Sequence, residues 1–338
     1  MIPRPANPGS IPEEQVQAAV EATLRVQITD VDLVGGVAVL RLQPVSTPRL
    51  PPWTAGAHID LVLPSGLVRQ YSLSGDPQDL SAYRIAVLRQ DDGRGGSTEL
   101  HRIAEPEFSL EIRGPRNHFP LVPADNYLFV AGGIGVTPLL PMARHADRQG
   151  ATWRMLYGGR TRSSMAFVSD LQELGGDRLD IVPQDECGLL DISHALASLD
   201  DATVVYCCGP EPLIDVVLCT AATLGIQDRV HIERFARSPA AAAAAAQTRM
   251  PFEVECVLSN VTFTVPIDRS ILDLVLERAD PDYPWSCTEG YCGSCVTTVL
   301  AGIPDHRDDF LTDEERAEGN VVMICVDRSV SDRLVLEL

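Results

Sequence analysis

The sequence predicts a multidomain chain in three folded parts. They are an antiparallel β-barrel, an α/β domain on a parallel sheet, and a small C-terminal domain. Three observations predict this. The chain has 338 residues, too many for one ordinary core at roughly 100–200 residues per domain. Its hydrophobic texture changes midway, from period two to strand–helix alternation. Five of its nine cysteines fall in residues 251–338.

The elements follow in order. Residues 1–21 read as a Pro-rich extension with a short helix and no apolar export core. From 22 to 120 apolar residues recur with period two: Leu24, Val26 and Ile28, then Val37, Val39 and Leu42, then Ile59, Leu61 and Leu63. Short strands broken by Gly and Pro turns suggest a barrel. From 121 to 236 the apolar runs at Tyr127–Ala131, Met155–Tyr157 and Thr203–Cys207 alternate with helical stretches, Pro138–Arg148 and Ser163–Leu174. That alternation implies a parallel sheet. Residues 237–250 hold an alanine run between Pro239 and Pro251 and read as a linker, partly helical at most. Residues 251–338 form the last unit.

Charge excludes several functions. With 27 basic and 47 acidic residues the net charge is −20, and every basic residue is arginine. A chain this acidic will not bind nucleic acid or an anionic membrane through general electrostatics. Without lysine there is neither a Walker-type phosphate loop nor a Schiff-base enzyme. No stretch reaches the ~18–20 apolar residues of a membrane span. An odd number of cysteines without an export segment argues against a disulfide framework. We therefore expect a reduced, cytoplasmic protein whose clustered thiols serve metal or redox chemistry.

The strongest motif is Cys287-x4-Cys292-x2-Cys295-x29-Cys325. Thiolates are soft ligands for iron–sulfur clusters and zinc. The spacing is that of plant-type 2Fe–2S proteins, whereas structural zinc more often uses two Cys-x2-Cys knuckles. Small residues (Ser286, Gly290, Gly293, Ser294) let a loop wrap a cluster. Cys187, Cys219 and Cys256 lie outside the spacing and read as core residues.

Three further motifs point to anion sites. Arg69-Gln70-Tyr71-Ser72 offers a phosphate clamp, a ring to stack on and a hydroxyl, though such an alternation is also common in ordinary strands. Gly93-Arg-Gly-Gly-Ser-Thr98 suggests a turn into a helix N-terminus. Ala131-Gly-Gly-Ile-Gly-Val-Thr-Pro138 follows an apolar run and precedes a helix, so its backbone can approach a pyrophosphate. It is not the Gly-x-Gly-x-x-Gly fingerprint. Tyr206-Cys-Cys-Gly-Pro210 ends another apolar run.

Together these residues resemble the phthalate dioxygenase reductase family, to which vanillate demethylase reductases belong. The resemblance is carried by Ser286–Cys295 with Asp305-His-Arg-Asp308, and covers roughly residues 22–338. It implies a C-terminal β-grasp ferredoxin domain with a 2Fe–2S cluster on Cys287, Cys292, Cys295 and Cys325. It implies FMN, with FAD the alternative, held by Arg69, Gln70, Tyr71, Ser72, Ala86, Val87, Leu88, Gly95, Gly96 and Ser97. It implies NADH held by Gly132, Gly133, Gly135, Thr137, Pro138, Gly209 and Pro210. Cys208 is placed at the nicotinamide corner, and Phe235 over the flavin face. Arg160 and Arg162 could face the 2′-phosphate of NADPH or be solvated.

The implied path runs from NADH to FMN to the cluster and then to a Rieske-type oxygenase or demethylase. The alternative acceptor is a haem-thiolate monooxygenase. Hydride transfer needs no general acid or base, so His58, His101 and His118 receive no catalytic role. Residues 251–338 carry 6 arginines and 18 acidic residues, hence −12 of the −20. The oxygenase partner is therefore expected to present a basic docking face.

Overall fold

The computed structural model describes residues 23–245 and 250–338. The expected extension over 1–21 and part of the linker lie outside them. The chain divides into two compact units, one ending at Pro120 and one beginning at Leu121.

The first unit is built on β1 (Leu24–Val34), β2 (Val37–Pro44), β3 (His58–Val62), β4 (Val68–Ser72), β5 (Tyr83–Leu88) and β6 (Ser109–Arg116). They form one antiparallel sheet in the order β4-β3-β6-β1-β2-β5. The sheet closes just beyond β4, where the Ser74 amide donates to the Arg84 carbonyl of β5 at 2.8 Å. Closure removes the exposed edges that would otherwise template pairing with another chain. Ile28, Leu40, Leu42, Ile59, Leu61 and Ile85 fill the interior; each contributes about 1.5–3 kcal/mol on burial. In β2 the inward set is Ala38, Leu40 and Leu42, and Val39 is only half-buried. Val37 is buried at the strand entry, where it pairs with Leu88 of β5, so it does not mark the strand's phase. A single helix, α1 (Gly96–Ile103), sits between β5 and β6.

The second unit opens on β7 (Asn126–Gly132), β8 (Thr152–Gly159), β9 (Leu179–Pro183), β10 (Thr203–Cys208) and β11 (Val230–Glu233). All pair in parallel, in the order β11-β10-β7-β8-β9. β7 lies between neighbours on both sides, and residues 127–132 are all buried, as a doubly covered strand requires. The helices are α2 (Val136–Gln149), α3 (Val168–Gly175), the single turn α4 (Gln184–Cys187), α5 (Ile192–Ala197) and α6 (Glu211–Leu224). The stretch expected to be helical from Ser163 instead begins with a short turn, Arg162–Ser164, and the helix starts at Val168.

α7 (Pro239–Ala245) follows. Ser238 starts it, its hydroxyl accepting the Ala241 amide at 3.1 Å. Pro239 is thus a first-turn residue, where its missing N–H costs nothing. The C-terminal part holds β12 (Phe252–Cys256), β13 (Val261–Val265), α8 (Ile271–Arg278) and β14 (Val296–Ala301). β15 (Pro304–Asp305), α9 (Asp313–Glu318), β16 (Val321–Met323), β17 (Arg328–Ser329) and β18 (Arg333–Leu336) complete it. Its main sheet runs β13-β12-β18-β14-β16, with β12 parallel to β18. An antiparallel hairpin, a helix and a return strand parallel to the first make a β-grasp. Among the described residues no helix is long and apolar enough to cross a membrane.

Candidate functional site

On the barrel, the structure brings together residues that the sequence separates by 25 positions. Arg69 on β4 reaches across the start of α1, where its guanidinium donates to the Arg94 carbonyl at 2.8 Å. A Cβ on Gly96 would lie 2.5 Å from Arg69 Nε, so glycine there leaves room for the arginine. Gly95 precedes the helix at φ +82°, a left-handed conformation that favours glycine. A cation over a helix N-terminus is an anion cradle. The Ser97 hydroxyl accepts the Gln90 amide at 3.0 Å and so shapes this loop.

The rest of β4 lies alongside β3. Gln70 is opposite Asp60, Tyr71 opposite Ile59 and Ser72 opposite His58. Burial pushes the Tyr71 phenol up to about 12, so it stays neutral. The Gln70 Nε2 is buried with no hydrogen-bond partner among the described residues. A buried donor without an acceptor costs free energy, and a ring carbonyl of a bound cofactor would relieve it. Ala86 and Val87 are buried on β5, and Leu88 is exposed at its end. The His101 ring nitrogen meets the Val87 carbonyl at 2.8 Å, tying α1 to β5. These residues fit a phosphorylated flavin.

His58 is the barrel's unread feature. It is 2% exposed, neither ring nitrogen has a partner among the described residues, and it stacks on His118 at 5.5 Å. Burial, then His118 and Arg116, hold its pKa well below the usual histidine value. Arg116 forms an ion pair with the fully buried Asp60 beside it.

In the second unit, strand order reverses between β7 and β10. Ligands of open α/β sheets bind at such a switch point, beyond the carboxyl ends of the strands. Gly132, Gly133 and Gly135 leave β7 there, and Cys208, Gly209 and Pro210 leave β10. The two corners interlock. A Cβ on Gly132 would lie 2.6 Å from Pro210 Cδ, and one on Gly135 would fall on the Cys208 carbonyl. Gly133, at φ +54°, faces open space. Thr137 and Pro138 are buried in the first turn of α2, with the Thr137 hydroxyl donating to the Ile134 carbonyl at 2.9 Å. An exposed backbone turn feeding a helix N-terminus fits a pyrophosphate.

Cys208 is fully buried, and that burial raises its thiol well above its ordinary value. It is a neutral thiol. Its cross-strand partner is Glu233, which the sequence reading passed over although it begins the stretch Glu233-Arg-Phe235. Phe235 lies just past β11 and is 37% exposed. Arg234 beside it pairs with Glu211 at 3.0 Å. Beyond β8, Arg162 is held by Glu186 through two contacts, 2.9 and 3.3 Å. Cys187 and Cys219 are exposed rather than core. Cys187 ends the turn beyond β9 and Cys219 lies on α6, away from that helix's buried residues. Cys256 is buried.

Cys287, Cys292, Cys295 and Cys325 are all buried, and they perturb one another: Cys292 and Cys325 act on Cys287, and Cys287 and Cys295 act on Cys325. Contact with Cys287 raises the Cys292 pKa. Four crowded thiols fit a metal centre that takes them as thiolates. The loop between the first two bends through Thr288 at φ +58° and Gly290 at φ +80°. The Glu289 amide thereby points at Cys287 Sγ, 3.3 Å away. Gly293 lies under the Phe310 ring, which a Cβ would strike at 2.5 Å. Asp327 accepts from the Met323 and Arg307 amides at 2.8 and 2.7 Å. It ties the Cys325 segment to the Asp305–Asp308 stretch.

Residues 253–328 match the 2Fe-2S iron-sulfur cluster binding domain family. The chain is 38% identical over 294 residues to phthalate dioxygenase reductase of Burkholderia cepacia, covering 86% of this chain and 89% of that protein. A solved structure of phthalate dioxygenase reductase, described as a modular structure for electron transfer from pyridine nucleotides to [2Fe-2S], aligns over 97% of this chain and all of that one. Its TM-score is 0.68 at 34% identity. An intact type IV self-sufficient cytochrome P450 monooxygenase aligns over 94% of this chain with TM-score 0.83 at 36% identity. This chain spans 41% of that longer protein. With a barrel, a switch-point crevice and a four-cysteine β-grasp domain in succession, and with 38% identity to a relative covered to 89% of its length, the chain belongs to the phthalate dioxygenase reductase family.

Proposed function

We propose that this protein is the reductase component of an oxygenase system, carrying electrons from NADH through FMN to a 2Fe–2S cluster and on to a separate oxygenase. The observation that carries the reading is the joining, in one chain, of a switch-point crevice to four buried cysteines brought together from residues 287–295 and 325. A flavin supplies the exchange between two-electron hydride chemistry and single-electron transfer, which the protein only positions.

The chain's own residues do the positioning. Arg69 and the start of α1 hold the phosphate, and Gln70 offers its amide to the ring. Gly133 and the first turn of α2 receive the pyrophosphate. Cys208 packs behind the crevice as a small uncharged group, and Phe235 offers an exposed ring to stack. Cys287, Cys292, Cys295 and Cys325 hold the iron, and the Glu289 amide stabilises charge on Cys287.

NADH is favoured over NADPH because Arg162 is already engaged by Glu186, and Asp185 adds further negative charge. Both lie beyond the carboxyl ends of β8 and β9, where a 2′-phosphate would need free cations.

The partner reading rests on charge. The exposed Asp313, Glu314 and Glu318 of α9 lie in the part of the chain with net −12. A basic face on the oxygenase would be steered toward them. Turnover with the true oxygenase should then fall as ionic strength rises, while NADH reduction of the flavin changes little. A salt-independent acceptor step would remove the basic docking face from the account. A Rieske-type aromatic oxygenase or demethylase is the acceptor we favour. The likeness to a self-sufficient P450 keeps a haem-thiolate acceptor as the second reading. Reduction of a purified Rieske oxygenase, but not of a P450, by this protein and NADH decides between them.

A further inference from the structure

The residues that leave β11 are fastened to the cluster loop. The Arg237 Nε donates to the Glu289 carbonyl at 2.7 Å. The Ser238 amide and hydroxyl both donate to the Asp309 carboxylate, at 2.7 and 2.6 Å. The Asp309 amide in turn donates to the Gly290 carbonyl at 2.8 Å. Both carbonyls belong to the loop between Cys287 and Cys292. Ser238 is 6% exposed, and it also starts α7. The four contacts close a ring: Arg237 to Glu289, along the chain to Gly290, to Asp309, to Ser238, and back to Arg237.

We propose that Arg237, Ser238 and Asp309 are positioning residues, forming a clamp that fixes the cluster loop relative to the nicotinamide sheet for electron entry. This rests on the electron path proposed above. The ring begins two residues after Phe235 and four after Glu233, the partner of Cys208. Freedom between the two sheets is therefore confined to the three residues between β11 and the clamp, Arg234 to Ala236. Three of the four contacts involve a charged side chain, the kind that contribute most. The clamp also fixes Glu289, whose amide faces Cys287. No bond is made or broken: one electron at a time enters the cluster, and the clamp holds the loop that receives it.

The test uses the full holoprotein and Asp309→Ala, Asp309→Asn and Arg237→Gln. The first readout is limited trypsin digestion at the Arg237–Ser238 bond. The clamp shields it in the wild type, and D309A should be cut there about tenfold faster, since local opening governs cleavage. The second is anaerobic mixing with NADH. Flavin bleaching should match wild type in every variant, while cluster reduction slows about tenfold or more in D309A and R237Q, as misplacement of reacting partners does. D309N keeps an acceptor for the Ser238 amide and a donor for its hydroxyl, and should recover near-wild-type behaviour in both readouts. Wild-type cluster reduction in D309A and R237Q overturns the clamp. Equal slowing in D309A and D309N assigns the effect to charge and also overturns it. If D309A fails to assemble its cluster, R237Q decides, because it removes only a contact to a backbone carbonyl. Failure of wild-type flavin to bleach would instead defeat the electron path itself.

Discussion

Gly135 and Cys208 touch backbone to backbone across the switch point: a Cβ on Gly135 would fall on the Cys208 carbonyl and 2.6 Å from the Gly209 amide nitrogen. Backbone atoms cannot move aside as a flexible side chain can. Gly135→Ala must therefore push the β7 and β10 corners apart, at an overpacking cost of about 1–3 kcal/mol. We expect kcat/KM for NADH to fall about tenfold or more, because that cost opens the crevice itself. The EPR signal of the dithionite-reduced cluster should be unchanged. Steady-state kinetics at wild-type level would show that the crevice does not hold the nucleotide.

Arg69→Ala should weaken flavin binding by about 10- to 100-fold, since a hydrogen bond to a charged group contributes about 1.5–3 kcal/mol. Titrating the flavin-free protein with FMN and following flavin fluorescence measures it. Unaltered affinity would take the phosphate away from the start of α1.

His58 makes the barrel acid-sensitive. Its folded pKa is held below its unfolded value near 6.5, so the unfolded state binds the proton more readily. Stability is then present above pH ~6.5 and is lost as pH falls below it. His118 is shifted the same way, first by burial and then by Arg116, with Asp60 opposing. His58→Phe, which fills similar space without a titrating group, should shift the acid-unfolding midpoint to lower pH. A midpoint that does not move assigns acid sensitivity to other groups.

Glu186→Gln frees Arg162 and removes one negative charge from the turn beyond β9. The pair is solvent-exposed, so its release is worth little. A several-fold rise in the NADPH-to-NADH ratio of kcat/KM is expected, and it should vanish when Arg162→Ala is added. If the ratio holds steady, the 2′-phosphate of NADPH lies elsewhere.

What the sequence disclosed depends on how local each signal is. The four cysteines were legible because three lie within nine residues and their spacing is itself the chemistry. The glycine corner after β7 was legible for the same reason. The phase of β2 was not: Val37 and Ala38 are both buried at the strand entry, so period two has two starting points there. Cys187 and Cys219 were misread as core because a cysteine's apolar character does not say which face of a turn or helix it occupies. The clamp was invisible. Its partners lie 52 and 71 positions apart, and the alanine run between Pro239 and Pro251 read as a linker, partly helical at most, with nothing local to show that its first residues are fastened.

The central claim is that electrons from NADH pass through the flavin into the cluster. Anaerobic mixing of the FMN- and iron-loaded protein with NADH, followed by absorbance and freeze-quenched EPR, tests it most directly. The account predicts that the flavin band bleaches first and that the signal of a reduced 2Fe–2S cluster then appears in the same chain. A bleached flavin with a cluster that stays oxidised, or a flavin that NADH leaves untouched, would contradict it.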